Sequence, residues 1–298
     1  VPTRRFSAIA PTDPLGSVSH LGMGRRDPST ATDDGSWIAI RTADGSATLR
    51  FTGRDDRIEA EAWGPGAGHA LELAPELCGA RDDPSGFRPE HPLVRRLVRL
   101  HPRLRITRSK QVVDSLIRAV VGQKVTGKEA KASYVRMVRA QGEGAPGPRP
   151  ELLMPPDPAW VAARDYTDFH VWGIERRRAE VVMEVGRRAK RLTDVLEMSL
   201  PEAYDRIEAI RGVGAWSSAW VGLQALGDAD AVLTGDYHVP NTVAWALAGE
   251  PRGDDDRMLE LLAAFRPHRG RVVRLLKAAG IKAPKYGPRS PTRDIRGI

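Results

Sequence analysis

Apolar and polar residues alternate from Trp37 onward. Trp37–Arg41 leads into the hairpin signal Asp44-Gly45, then Ala47–Phe51, a polar turn at Gly53–Asp56, and Arg57–Trp63. This predicts a three-strand antiparallel meander, closed by Gly64-Pro65-Gly66. A sheet with one apolar face needs a cover, so it is expected to pack on the rest of the protein. Residues 1–35 are rich in Gly, Pro, Ser and Asp and predict loops, with one short helix near Leu15–Leu21.

From about Glu90 the period becomes helical. Apolar stripes predict helices over Leu93–Leu100, Ser109–Val121 and Lys128–Ala140. Gly142–Pro158 carries six prolines and no period, and reads as a linker. Helical spacing returns at about 158–164, 177–192, 201–210, 215–226, 239–247, 256–265 and 269–279. The expected class is α+β: a sheet domain over 1–90, a helical domain over 91–282 and a basic extended tail over 283–298. A length of 298 residues suits two domains.

Charge sharpens this division. The chain has net charge +8, but residues 1–90 hold 10 basic and 14 acidic side chains, while the remainder holds 36 and 24. A basic helical part fits a polyanionic partner, although Arg-rich surfaces alone do not require one. Cys78 is the single cysteine, which excludes an internal disulfide or a four-cysteine cluster. No apolar run approaches the roughly 20 residues of a membrane span. Arg4 and Arg5 are not followed by the apolar stretch of a signal peptide. A cytoplasmic, nucleoid-associated monomer with no membrane partner is expected.

The chemistry concentrates in Leu200–Leu247. A helix beginning at Pro201 is broken by Arg211-Gly212-Val213-Gly214, and Ala215-Trp216-Ser217-Ser218-Ala219-Trp220-Val221 starts another. Gly212 and Gly214 allow a sharp turn, Val213 can plug between the helices, and the N–H groups opening the second helix can hold a phosphate. A plain helix-connecting turn is the competing reading. Gly235-Asp236-Tyr237 follows, ahead of an apolar helix, where Asp236 suits either a cap or a site carboxylate. Trp216 and Trp220 share a helix face, as core packing or as a pocket wall. Asp254-Asp255-Asp256 reads as a solvated turn and cap, and Arg176–Arg178 and Arg187-Arg188 as solvated faces. His238 and His268 are too few for a catalytic metal, and no cofactor is expected.

Over roughly residues 90–280 the chain resembles the helix–hairpin–helix DNA glycosylase superfamily, in particular its 3-methyladenine DNA glycosylase II branch. The marks are Val121–Thr126, Pro155–Ala163, Trp172-Gly173-Ile174 through Ala179, the hairpin at 211–216, Gly235-Asp236-Tyr237 and Arg266-Pro267-His268-Arg269. The resemblance implies base flipping from duplex DNA carrying a damaged base and hydrolysis of an alkylated purine, with Asp236 stabilising the cationic sugar. It implies a base pocket of Trp216, Trp220, Tyr237 and the residue at Lys277. It also implies DNA contacts from Gln123, Lys124, Gly212, Val213, Gly214 and Arg269, with Arg271 a further phosphate candidate. Bifunctional relatives carry a Schiff-base lysine where Trp216 stands, so a monofunctional enzyme is expected. Two positions depart from the pattern. Lys124 replaces an apolar or Gln wedge, and Lys277 replaces a pocket aromatic, where a cation opposes a cationic base. An oxidised or deaminated base, or DNA binding without turnover, are the alternatives.

Overall fold

The computed structural model describes residues 1–24, 26–284 and 294–296. The meander is present as β3 (Ser36–Thr42), β4 (Gly45–Arg54) and β5 (Arg57–Trp63), preceded by β1 (Thr3–Phe6) and β2 (Thr30–Ala31). All five pair antiparallel in the order β1-β5-β4-β3-β2. The two strands that sequence reading assigned to loops are the edges. β1 is four residues long and half charged, and β2 is two residues, so neither carries a readable alternation.

The register separates the faces. Ile38, Ile40, Ala47, Leu49, Phe51, Ile58, Ala60 and Ala62 form one apolar core with α1 (Pro14–Leu21) and α2 (Ala67–Leu77). The sheet therefore brings its own cover for this face, which corrects the expectation that the main helical part supplies it. α2 had no place in the sequence reading: Pro75 sits inside it and its buried stripe is mostly alanine and leucine. The opposite face stacks Trp37 on Trp63, with ring centroids 5.1 Å apart. The proline-rich segment after residue 142 lies across it. Gly147 sits directly on Trp63, Arg41 grips Glu143 at 2.6 Å, and Arg149 reaches Asp33 at 2.8 Å. What reads as a linker is a clamp on the sheet.

The remaining helices are α3 (Pro92–Leu100), α4 (Val112–Gly122), α5 (Gly127–Gln141), α6 (Pro158–Ala162), α7 (Tyr166–Val171), α8 (Arg176–Arg187), α9 (Ala189–Thr193), α10 (Leu200–Glu208), α11 (Ala215–Val221), α12 (Val239–Ala248), α13 (Asp255–Leu262) and α14 (Arg269–Ala278). The predicted 177–192 helix is two, and α11 widens into a π-helical turn over Gly222–Leu226. Two apolar cores hold them. One gathers α4, α5 and α8 around Leu116, Ile117, Tyr134 and Val182; the other joins α3 to α12, α13 and α14 through Leu97, Val243, Met258 and Val272. Among the described residues, no helix is long and apolar enough to cross a membrane. Most of the expected extended tail falls outside the described residues.

Candidate active site

The hairpin between α10 and α11 forms as its glycines require. Gly212 has φ +94°, and a Cβ there would stand 2.6 Å from Val181 Cγ2, so only glycine fits. Val213 is buried in the first helical core, the plug that its position suggested. Gly214 and Ala215 are exposed, and the first-turn N–H groups of α11 lie at the surface end of the helix. Gln123, at the end of α4, is tied to this turn: its Nε2 donates to Gly212 O at 3.0 Å and to Ser217 Oγ at 2.9 Å. The adjoining Lys124 is exposed at φ +55°, in the left-handed region that a lysine rarely adopts.

Asp236 stands on the loop that leads from one helical core to the other. Its Oδ1 accepts from the N–H groups of His238 at 2.7 Å and Val239 at 2.9 Å, which caps the start of α12. Its Oδ2 accepts from the Trp216 indole Nε1 at 3.0 Å. The helix cap thus takes one oxygen of this half-buried carboxylate, and an indole the other. The loop is held from behind, because Gly235 N–H donates to Asp255 Oδ2 at 2.7 Å. Of the aspartate run, Asp254 caps α13 and Asp255 fixes the approach to Asp236.

Trp216 and Trp220 lie with ring centroids 5.6 Å apart, tilted by 34°. Both are half-buried, and the edge of Trp216 reaches Gly122 at the end of α4. Tyr237 does not join them. It is 83% exposed and packs edge-on against His238, because Asp236 turns inward to cap α12 and sends the next side chain outward.

Arg269 is engaged within the protein. Its guanidinium is closed on Asp230, with Nε–Oδ1 at 3.0 Å and Nη2–Oδ2 at 2.7 Å. Arg271 is likewise closed, on Asp82 at 2.7 Å through both nitrogens. In each, the two-nitrogen edge that would hold a phosphate bidentately is taken by a carboxylate, which leaves only the outer N–H groups.

Lys277 does lie within electrostatic reach of Asp236. It keeps much of its surface in solvent, yet its ammonium is set among protein. Burial, then the charges of Arg274 and Lys131, lower its pKa, and Asp236 acts the other way. Sequence reading passed over Arg274, Lys131 and His20. His20 is held neutral, first by burial and then by Arg274 and Lys277. No motif could have found them, because they come from three helices far apart in the chain.

No protein-family model matches the sequence, and neither does any curated protein. Solved structures do match. A 3-methyladenine DNA glycosylase from Archaeoglobus fulgidus superposes with TM-score 0.76 at 14% identity, over 92% of this chain and 97% of that one. An 8-oxoguanine glycosylase/lyase from Clostridium acetobutylicum, in complex with double-stranded DNA, gives 0.67 at 13% identity over 93% and 99%. A Schizosaccharomyces pombe 3-methyladenine DNA glycosylase in complex with abasic DNA gives 0.53 at 18% identity over 68% and 97%. The first two likenesses extend across both the sheet unit and the helices.

Proposed function

We propose that this chain, which has the fold of the helix–hairpin–helix DNA glycosylases, is a monomeric, monofunctional enzyme that hydrolyses a damaged base from duplex DNA in base excision repair. The observation that carries this reading is Asp236. It is a half-buried carboxylate at the junction of two helical cores, with one oxygen held by backbone N–H groups and the other by an indole that forms half of an aromatic pair.

Loss of a base leaves a cationic, oxocarbenium-like sugar. Asp236 supplies the opposing charge and accepts a proton from the attacking water. A base must leave the helical stack to reach it, and the Trp216 and Trp220 rings offer faces for the extruded base. The Gly212–Gly214 turn grips a backbone phosphate through its exposed first-turn N–H groups, and Lys124 probes the gap. Trp216 occupies the hairpin place of the Schiff-base lysine, so the product is an abasic site in an uncut strand.

The resemblance assigns alkylated purines to the pocket. Lys277, the cation that interacts with Asp236, favours the other class of substrate, an oxidised or deaminated base. The test of the reaction is release of base from lesion-bearing duplexes by wild type and Asp236→Asn. Release is expected to fall at least about 100-fold, within the usual range for loss of a proton-transferring group. Equal rates would remove Asp236 from the reaction. Borohydride trapping of a protein–DNA adduct would overturn the monofunctional assignment and direct attention to Lys277 and Lys124.

A further inference from the structure

The loop that carries Asp236 is tied at each of its residues. Gly235 N–H donates to Asp255 Oδ2, and Asp236 accepts from the N–H groups of His238 and Val239. The carbonyl of Tyr237 accepts from Asn241 Nδ2 at 3.1 Å, and Asn241 Oδ1 in turn accepts from Gly253 N–H at 3.1 Å. The backbone of Tyr237 is therefore fixed, while its side chain is uncovered: no other large hydrophobic side chain among the described residues is as exposed. The His238 ring stands edge-on to the phenol, with centroids 4.9 Å apart, and braces it. A large ring held in water on a rigid loop is a contact surface prepared in advance.

Its place relative to the site says what it meets. Trp216 bonds Asp236 through Nε1, and the other end of the indole, at Cη2, lies 3.5 Å from where a Cβ on Gly122 would stand, at the close of α4. Tyr237 and the Lys124 tip thus flank one ring from opposite ends. To act on the sugar, Asp236 must come to about 3–3.5 Å from C1′ of the extruded nucleotide. The phosphates on either side are joined to that same sugar, and they trail toward solvent while the base points inward. Tyr237 is the adjacent residue, with its Cα about 3.8 Å from that of Asp236. It points outward and reaches further than an aspartate. The N–H groups of His238 and Val239 are already committed to Asp236. A phosphate beside this loop is therefore met by a side-chain donor, and the phenol hydroxyl supplies one.

We propose, building on the glycosylase reading, that Tyr237 is a strand-positioning residue: its hydroxyl donates a hydrogen bond to a lesion-strand phosphate that flanks the extruded nucleotide. With the Gly212–Gly214 turn holding the strand from the Lys124 side, the strand is gripped at both ends of Trp216. The Tyr237 contact forms only once the nucleotide has left the stack and brought its sugar to Asp236. It stabilises the extruded state and leaves the identity of the base unread. A wall of the base pocket is the competing role for this side chain, and that role needs a base to touch.

The test is binding of the full chain to two duplexes that differ at one nucleotide, an undamaged one and one carrying tetrahydrofuran, a stable abasic analogue with no base. Wild type is expected to prefer the tetrahydrofuran duplex. Tyr237→Phe keeps the ring and loses the donor. It is expected to bind the tetrahydrofuran duplex about tenfold more weakly, the scale of one hydrogen bond to a charged group, and to bind the undamaged duplex as wild type does. The factor should hold across salt concentrations, because a neutral donor releases no counterion. Tyr237→Ala should lose at least as much. Unchanged affinity of Tyr237→Phe for the tetrahydrofuran duplex overturns the proposal and leaves the phenol only a role that needs a base. An equal loss on both duplexes, or a loss that varies with salt, also overturns it. A wild type with no preference for the tetrahydrofuran duplex overturns it as well; if that protein also releases no base from lesion-bearing duplexes, the glycosylase reading falls with it.

Discussion

Arg118 and Arg274 are both buried guanidinium groups, and the protein surrounds them in opposite ways. Arg118 donates to Asp114 at 2.7 Å and to the fully buried Asp27 at 2.5 Å, and lies 4.2 Å from the centre of the Tyr134 ring. Tyr134 in turn donates to Asp114 at 2.8 Å. Burial alone would lower the pKa of Arg118, but Asp114 and Asp27 outweigh it and hold the pKa well above the ordinary value. Arg274 has no such shell. Burial, followed by the charge of Arg271, lowers its pKa to about 10, and the nearest carboxylate acting on it, Asp82, is already held by Arg271. It remains a cation at neutral pH with a donor to spare. The first region uses its charge to fasten the N-terminal segment to the helices. The second keeps its charge available.

The largest effect expected from this contrast lies at Arg118. Arg118→Met leaves the Asp27 carboxylate buried without its cation, held only by the N–H groups of Met23 and Ser29, and should cost about 3–5 kcal/mol in denaturant unfolding. A loss under about 1 kcal/mol would mean that the network does not hold the fold.

A pH titration of stability probes the second region. Burial, then Arg274 and Lys277, depress the pKa of His20 well below its ordinary 6.5. As pH falls through about 6.5, the unfolded chain takes up a proton that the folded chain refuses. Stability should then fall by up to about 1.4 kcal/mol per pH unit until the folded-state pKa is reached. In His20→Gln this component should vanish; an unchanged slope would show that His20 is not the group responsible.

The smallest effect has the opposite sign. Arg274→Met removes an uncompensated buried charge and should raise stability by about 1 kcal/mol, read in denaturant unfolding. A clear loss of stability would place Arg274 in the same structural class as Arg118.

How much of this was legible depended on whether a residue's partners lie nearby in sequence. Strands β3 to β5 announce themselves through alternation and Asp44-Gly45, whereas β1 borrows its pairing from Arg57–Trp63, more than fifty residues away. Gly212, Val213, Gly214, Trp216 and Asp236 belong to one continuous motif and stand together as their spacing implied. The partner of Arg269 was not legible, because the carboxylate that claims it, Asp230, sits 39 residues earlier, and chain spacing says nothing about who occupies a guanidinium. The outward direction of Tyr237 was not legible, because adjacency to Asp236 does not set direction when the aspartate turns inward. His20, Lys131 and Arg274 come within electrostatic reach of Lys277 only through the packing of α1, α5 and α14, which no local pattern encodes.

The bond from Gln123 to the hairpin has a mechanical consequence. Gln123 grips both Gly212 and Ser217, and the next residue, Lys124, forms the exposed tip between α4 and α5. The tip and the Gly212–Gly214 turn are therefore coupled: a force on one is delivered to the other through that amide. Under the proposed reading the pair would act on a duplex as a caliper, and seating the turn on one phosphate would fix the step at which Lys124 meets the stack.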